Sequence, residues 1–191
     1  NQTAPDLIAI PGGTFMMGDA VGDPNETPKP ATVAPFRLMR LEVTNRQFAA
    51  FIDATGYRTD AEISGTGFVW TQSWRKSNGA DWRHPNGVDS TIDGKADHPI
   101  VQISARDAAA YCAWKGLRLP SETEWEFAAR GIDGRRYPWG NSGPGAHTKR
   151  RANFGTAPCC ALDAADGYER TAPVGKFPRG ASPFGLLDMA G

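Results

Sequence analysis

The sequence predicts an α+β domain with little regular secondary structure, built from short helices, short strands and long loops. The chain has 22 glycines and 15 prolines among its 191 residues, and both residue types interrupt regular elements. They are spread along the sequence, so they indicate many turns rather than a low-complexity linker. Only short stretches show the periodicity of an amphipathic helix. A chain of this length favours one domain with a sizeable core.

The N-terminal region predicts short strands. Residues 8–18 contain two apolar runs separated by the turn sequence Pro11-Gly12-Gly13, which indicates two strands. The polar and proline-rich residues 19–30 predict a surface loop. Residues 31–41 alternate enough between apolar and polar side chains to predict one further strand.

Helix start signals occur at three places. Thr44 and Ser121 are each followed three positions later by Gln or Glu, which is the capping-box pattern. Ser104 precedes another stretch with apolar residues at helical spacing. A glycine follows each stretch, as helix C-termini often require: Gly56, Gly116 and Gly131. We therefore expect two short amphipathic helices after Thr44 and Ser104, and a further helical segment after Ser121.

Residues 57–99 form a long stretch that is predicted to be mostly irregular. A loop of this length in a compact domain is usually functional or disordered. It contains three of the six tryptophans, Trp70, Trp74 and Trp82, and such aromatic content argues against disorder. The stretch is therefore predicted to be ordered and functional.

Composition excludes some classes of partner. Lys plus Arg and Asp plus Glu both number 21, so charge gives no argument for nucleic acid or for an anionic membrane surface. No stretch approaches the apolar length of a membrane span. We therefore expect neither a nucleic-acid partner nor a membrane span. Pattern alone predicts no reaction, because no P-loop, dinucleotide-binding or nucleophile-elbow motif occurs.

A series of segments in fixed order carries a resemblance to a known family. The most diagnostic are residues 107–114 and the following Arg118-Leu119-Pro120-Ser121-Glu122-Thr123-Glu124-Trp125-Glu126. The others include residues 11–18, 42–48, 57–62, 67–70, 79–85, 98–101, 137–141, 171–174 and 184–191. Together they resemble the formylglycine-generating-enzyme, or sulfatase-modifying-factor, domain over essentially the whole chain, 1–191. The resemblance implies a fold similar to that of C-type lectins, with short helices and small antiparallel sheets.

The resemblance implies an oxidative maturation enzyme that acts on a peptide or a small molecule. Its substrate would be either a sulfatase cysteine, oxidised to formylglycine, or a pyoverdine-type siderophore chromophore precursor. The alternative is a non-catalytic lectin-like binding or structural module, because a fold does not fix a function.

The catalytic residues of the family are not expected among these 191 residues. The family pattern continues beyond Gly191, and the resemblance places there the two redox cysteines that act with copper and dioxygen. The resemblance therefore implies that the C-terminal portion of the domain is missing, and that copper depends on that cysteine pair.

The resemblance places Trp82, Arg83 and His84 near the substrate cleft. Arg and Trp suit a peptide or an aromatic ligand, through hydrogen bonds and stacking. His84 would be able to move a proton near neutral pH. The alternative for His84 is a loop that is held together by its own aromatic and guanidinium packing.

The resemblance also implies a structural calcium ion. Asn153 and Asp166 would contribute side chains, and Phe154 and Tyr168 would contribute backbone carbonyl groups. Calcium prefers many oxygen ligands and tolerates flexible loops. The alternative is that Asn153 and Asp166 are ordinary turn residues.

The three cysteines are Cys112, Cys159 and Cys160, and an odd count leaves at least one without an internal partner. Cys112 lies on the packed face of its predicted helix, where a small apolar residue would suffice. In the family a cysteine at this place can instead pair with one in the C-terminal portion. Such a bridge persists only in an oxidising compartment. With a first residue, Asn1, that is not Met, this favours an exported, periplasmic protein.

Overall fold

The structure is a computed structural model that describes residues 6–143, 151–155, 164 and 166–190. Its strands are β1 (Leu7–Ile10), β2 (Gly13–Met17), β3 (Lys29–Val33), β4 (Phe36–Met39), β5 (Thr66–Trp70) and β6 (Trp74–Asn78). Its helices are α1 (Asn45–Thr55), α2 (Asp60–Ser64), α3 (Ala105–Trp114) and α4 (Glu122–Arg130), with short 3₁₀ turns at Pro24–Glu26 and Pro178–Gly180. None of the helices in this described part of the chain is long and apolar enough to cross a membrane.

The strands form three two-stranded antiparallel sheets, which pair β1 with β4, β2 with β3, and β5 with β6. The two strands expected within residues 8–18 are confirmed as β1 and β2. The single strand expected over residues 31–41 is wrong, because β3 ends at Val33 and β4 begins at Phe36. Pro35 lacks the N–H group that a continuing ladder needs. The chain therefore stops pairing with β2 at this point, and the next strand, β4, pairs with β1 instead.

The three helix starts expected from sequence are confirmed. The side chain of Thr44 accepts a hydrogen bond from the N–H of Gln47, and the side chain of Gln47 accepts one from the N–H of Thr44. Ser104 and Ser121 begin α3 and α4 with the same reciprocal pair of bonds. Each pair satisfies N–H groups that have no partner within the helix. Gly56 ends α1 at φ 66°, a conformation that glycine adopts without steric cost.

The prediction that residues 57–99 are mostly irregular is wrong for their first half, which contains α2, β5 and β6. Thr59 begins α2 with a capping box, and its N–H donates to the Glu62 carboxylate over 2.8 Å. A helix of five residues is too short to show a helical period, which is why periodicity did not predict it. The β5–β6 hairpin follows α2 directly.

The described residues pack into two hydrophobic clusters. In the first, the β-strands of the N-terminal sheets pack against α4, with Phe127 fully buried at the centre. The second lies between α1 and α3 and is mainly aromatic. Its buried members are Phe48, Phe51, Ile52, Trp82 and Tyr111. Edge-to-face and offset ring contacts, such as the 5.6 Å between the centroids of Phe48 and Trp82, suit aromatic packing.

A buried carboxylate joins α3 to the start of α2. The Asp107 side chain is fully buried, and it accepts hydrogen bonds from the hydroxyl of Tyr57 at 3.0 Å and the N–H of Ser104 at 2.9 Å. The N–H of Asp60 donates to the same carboxylate at 3.2 Å. Burying a charge is costly unless such bonds compensate for the lost water. These bonds therefore fix where α2 begins, and with it the hairpin that follows.

One irregular stretch, residues 96–102, connects the N-terminus of α1 with the C-terminal loops, and we call it the central segment. The N–H of Asn45 donates to the carbonyl oxygen of His98 at 2.9 Å. Further main-chain bonds connect Arg46 to Ala96, Ile100 to Val43, and Val174 to Asp97. The imidazole Nδ1 of His98 lies 2.8 Å from the hydroxyl of Thr171. Hydrogen bonds therefore attach the central segment to the start of α1 on one side and to the C-terminal loops on the other.

Candidate functional site

A cleft with two compartments lies along the central segment. Both compartments are lined by Pro99 and Val101 of that segment and by Arg170 and Thr171 of the C-terminal loops. We call the larger one, of about 250 Å³, the acidic compartment. The smaller one, of about 180 Å³, is the aromatic compartment. We call these shared lining residues the floor of the cleft, and the two compartments adjoin each other there.

The hairpin β5–β6 supplies one wall of the aromatic compartment, through Phe68, Trp70 and Trp74. The rings of Trp70 and Trp74 meet edge to face with their centroids 5.5 Å apart. Phe68 is 61% exposed and Trp74 is 68% exposed. A second wall includes Pro85 and Asn86. Large aromatic side chains left this accessible beside a cavity are typical of binding surfaces.

Asn45 adds a polar group to the aromatic compartment. The residue is only 4% exposed, and its amide nitrogen donates to the carbonyl oxygen of Lys95 at 2.8 Å. Its Oδ1 is buried and has no hydrogen-bond partner among the described residues. A buried acceptor without a partner costs free energy. An N–H group of a ligand would supply the missing hydrogen bond only if the side chain turned toward the compartment, because the Oδ1 atom itself has almost no accessible surface.

Two carboxyl groups, Glu42 and Asp188, line the acidic compartment. Burial among protein atoms, and to a lesser extent repulsion by Asp188, raise the pKa of Glu42 from 4.5 to about 7. The residue as a whole is exposed to solvent, but the protein atoms around its carboxyl group displace part of the water that would stabilise a charge. Burial also raises the pKa of Asp188, against the hydrogen bond that it accepts from the N–H of Gly175 at 2.6 Å.

This arrangement places a carboxyl group that exchanges protons near neutral pH beside the cleft. With a pKa of about 7, Glu42 is present in both the protonated and the ionised form at that pH. Such a group acts as a proton donor or acceptor for a bound substrate. Asp188 adopts φ 56°, a left-handed conformation that is costly for a residue other than glycine.

The structure gives Trp82, Arg83 and His84 different environments. Trp82 is 2% exposed and belongs to the aromatic core, so it supports the loop from beneath. The guanidinium of Arg83 lies 4.0 Å from the centre of the Trp82 ring and pairs with Glu62 over 2.7 Å. The Nδ1 atom of His84 lies 3.1 Å from the Asp81 carboxylate. The assignment of these three residues to the substrate cleft stays a prediction.

The residues predicted to bind calcium lie on two adjacent chain segments. The Asp166 carboxylate accepts hydrogen bonds from the N–H of Phe154 at 3.1 Å and the N–H of Tyr168 at 2.9 Å. The amide of Asn153 donates to the carbonyl oxygen of Arg170 at 2.6 Å. The fold thus brings residues 153–154 next to residues 166–168. Whether they hold an ion stays a prediction at this point.

Cys112 is partly buried and borders a second, apolar groove of about 910 Å³. It forms no disulfide with another described residue, and burial raises the pKa of its thiol. Cys159 and Cys160 lie outside the described residues. The predicted bridge to Cys112, and the exported location inferred from it, therefore stay predictions.

Comparison with known families identifies the chain. The model of the family described as the sulfatase-modifying factor enzyme 1-like domain matches residues 1–191. The chain belongs to this family. The expected fold is confirmed with it, because short helices and small antiparallel sheets are the C-type-lectin-like architecture of the family.

Similar proteins include formylglycine-generating enzymes of bacteria. That of Thermomonospora curvata is 43% identical over 218 residues, a match that covers 100% of this chain and 70% of the relative. That of Mycobacterium tuberculosis is 41% identical and matches 97% of this chain and 71% of the relative. The solved structure of PvdO from Pseudomonas aeruginosa has a TM-score of 0.70 at 27% identity, covering 97% of this chain and 67% of the other. These similarities favour an oxidative function of this family over a lectin-like binding module.

Several residues of the cleft in this sulfatase-modifying-factor domain were not singled out as site residues from the sequence. Asn45 and Glu42 lie in a segment that carries the family resemblance, and Asp188 lies in another, but spacing along the chain does not show that they meet. The prediction that residues 57–99 form a functional stretch stays a prediction. Trp70 and Trp74, rather than Trp82, are the ones that line a compartment.

The raised pKa of Glu42 predicts how the stability of the domain depends on pH. A carboxyl group whose pKa is higher in the folded state binds its proton more tightly there, so its contribution to stability is full below pH 4.5 and is lost as pH rises through about 7. We expect Glu42→Gln, which stays neutral, to raise the melting temperature above pH 7 and to flatten its decline between pH 4.5 and 7.

The measurement is thermal unfolding of both proteins across this range, and the difference between the two curves isolates Glu42. Glu122→Gln, on the exposed first turn of α4, is the matched control and should give a curve parallel to that of the wild type. A Glu42→Gln curve that is also parallel would contradict the assignment.

Proposed function

We propose that the protein oxidises a cysteine side chain of a peptide substrate to formylglycine, and that the peptide binds in the two-compartment cleft. The observation that carries the proposal is the cleft itself, with accessible aromatic rings, an unpartnered buried acceptor on Asn45 and a carboxyl group that titrates near neutral pH. The chemistry is suggested by the names of the relatives that are 43% and 41% identical to the chain.

The proposed reaction converts a CH₂–SH group into an aldehyde. One atom of dioxygen becomes the aldehyde oxygen and the other leaves as water, while the sulfur leaves as hydrogen sulfide. Two electrons and two protons from a thiol reductant complete the balance. The substrate cysteine must therefore lose a proton from its thiol and its carbon during the reaction, and the reduced oxygen must gain protons.

The described residues suit the binding and proton-transfer parts of this reaction. Trp70 and Trp74 offer apolar surface to side chains of the peptide, and the Oδ1 of Asn45 accepts one peptide N–H. Glu42 is close enough to the shared floor to exchange a proton with a group bound there. General acid–base catalysis requires a pKa near the working pH, and the raised pKa of Glu42 meets this requirement.

Copper is implied by the family resemblance only together with a cysteine pair outside these 191 residues. Within residues 6–143, 151–155, 164 and 166–190 no group of three or more His, Cys, Asp or Glu side chains could hold a metal ion. The described residues therefore do not fit a copper centre. Their proposed roles are limited to binding, orientation and proton transfer.

The proposal is tested with the full-length protein, a sulfatase-type peptide that contains one cysteine, a thiol reductant and air. We expect mass spectrometry to show the loss of mass that accompanies conversion of the thiol to an aldehyde, and a hydrazide to capture the product. Trp74→Ala should lower kcat/KM about tenfold or more, because it removes a wall of the aromatic compartment.

Two controls make the result specific. A peptide with serine in place of the cysteine should remain unchanged, and so should the cysteine peptide without air. Trp139→Ala removes a tryptophan that lines neither compartment and should leave kcat/KM near the wild-type value. Absence of aldehyde from the wild-type reaction would contradict the proposed function.

The second candidate substrate is the siderophore chromophore precursor of the pyoverdine type. The observation that favours it is the edge-to-face pair of Trp70 and Trp74, because flat aromatic ligands stack on such rings. The same protein, incubated with a precursor of this class instead of the peptide, distinguishes the two substrates. Oxidation of the precursor, with no aldehyde on the peptide, would replace the first candidate by the second.

We also propose that a structural calcium ion binds between residues 153–154 and 166–168. The support is that the fold brings Asn153 and Phe154 next to Asp166 and Tyr168, which together offer carboxylate, amide and carbonyl oxygens. Calcium accepts such mixed oxygen ligands. An ion bound only by the folded state would stabilise the domain through linkage.

Removal of calcium should therefore lower the thermal stability of the protein. We expect a chelator to reduce the melting temperature by a few degrees or more, and excess calcium to restore it. Asp166→Ala should melt at the lower temperature with or without the chelator. If the chelator leaves the wild-type melting curve unchanged, residues 153–168 hold no calcium and the turn interpretation of Asn153 and Asp166 is correct.

A further inference from the structure

The side chain of Gln102 bridges the two walls of the aromatic compartment. Its Nε2 donates hydrogen bonds to the carbonyl oxygens of Phe68 at 2.8 Å and of Pro85 at 2.7 Å. Its Oε1 accepts one from the N–H of Phe68 at 3.3 Å. Both hydrogens of the amide are used, and both main-chain groups of Phe68 are satisfied.

This side chain takes the place of a neighbouring strand on one edge of β5. The other edge of β5 pairs with β6, where Phe68 lies opposite Lys76. An unpaired strand edge is mobile and prone to wrong pairing. One amide group thus fixes an edge that carries Phe68 and leads to Trp70, and it connects that edge to Pro85 on the second wall.

The bridge depends on two unusual backbone features. Gln102 adopts φ 58°, a left-handed conformation that is strained for a residue with a side chain. A Cβ atom at Gly67 would lie 2.5 Å from the Oε1 of Gln102, so only glycine leaves room for the amide. Strain kept at one residue of a cleft is a signature of functional positioning.

We infer that Gln102 is a positioning residue, which holds the aromatic wall and the Pro85 wall at the separation that the substrate requires. The inference rests on the proposed peptide substrate. Gln102 is the last residue of the central segment and borders the compartment. Its proposed effect on substrate binding is indirect, because its amide fixes the positions of Phe68 and Pro85. Loss of the bridge leaves the rest of the fold intact and weakens substrate binding.

The test is Gln102→Gly in the full-length protein, because glycine relieves the φ strain while it removes the bridge. We expect KM for the cysteine peptide to rise about tenfold, since several hydrogen bonds that preorganise the walls are lost. The value of kcat should change little. Hydrogen exchange at the amide of Phe68 should become faster, while the melting temperature stays near that of the wild type.

Two further variants complete the design. Gln72→Gly relieves a similar strain, φ 94°, in the turn of the same hairpin without touching the bridge, and it should keep the wild-type KM. Gln102→Glu keeps the shape of the side chain but turns the two donors into acceptors that face carbonyl oxygens. It should therefore raise KM as Gln102→Gly does, which a role in backbone strain alone would not explain.

The outcomes separate this inference from the proposed function. If the wild type and Gln72→Gly form formylglycine and Gln102→Gly keeps the wild-type KM, the positioning role is wrong and the bridge only supports stability. Unchanged hydrogen exchange at Phe68 in Gln102→Gly would show that the bridge itself is absent, which also overturns the inference. If the wild type forms no formylglycine, the proposed function fails and the inference fails with it.

Discussion

The main-chain bonding of the central segment, residues 96–102, is the constraint on which the site depends. An irregular stretch that belongs to none of the three described sheets must still satisfy its N–H and C=O groups. It does so with the start of α1 on one side and the Val174 turn on the other. These bonds bring Asn45, on the first turn of α1, to the floor formed by Pro99 and Val101. The position of the cleft floor therefore depends on these main-chain bonds.

The two compartments differ in chemistry although they share that floor. On one side, exposed rings from the β5–β6 hairpin offer apolar surface; on the other, Glu42 and Asp188 supply carboxyl groups whose pKa values are raised by burial. A ligand that spans both would place apolar groups against the rings and a proton-exchanging group near the acids. A cysteine within a peptide has this combination, because its neighbouring side chains can bind while its thiol reacts.

The sequence predicted local secondary structure better than it predicted contacts between residues that are far apart in the chain. Caps at Thr44, Ser104 and Ser121 depend only on residues three positions apart, so the helix starts were correct. The break at Pro35 and the five-residue helix after Thr59 were missed, since neither leaves a periodic signal. The family fold was predicted from motifs that occur in a fixed order along the sequence. The approach of Asn45, Gln102 and Phe68 arises from tertiary hydrogen bonds and could not be predicted from spacing.

The most direct test of this account is a crystal structure of the full-length protein with a bound peptide whose cysteine is replaced by serine. The account predicts that the peptide lies along Pro99 and Val101, with an N–H directed at the Oδ1 of Asn45 and a side chain against Trp74. A peptide bound in the apolar groove beside Cys112 instead, with both compartments of the cleft left unchanged, would contradict it.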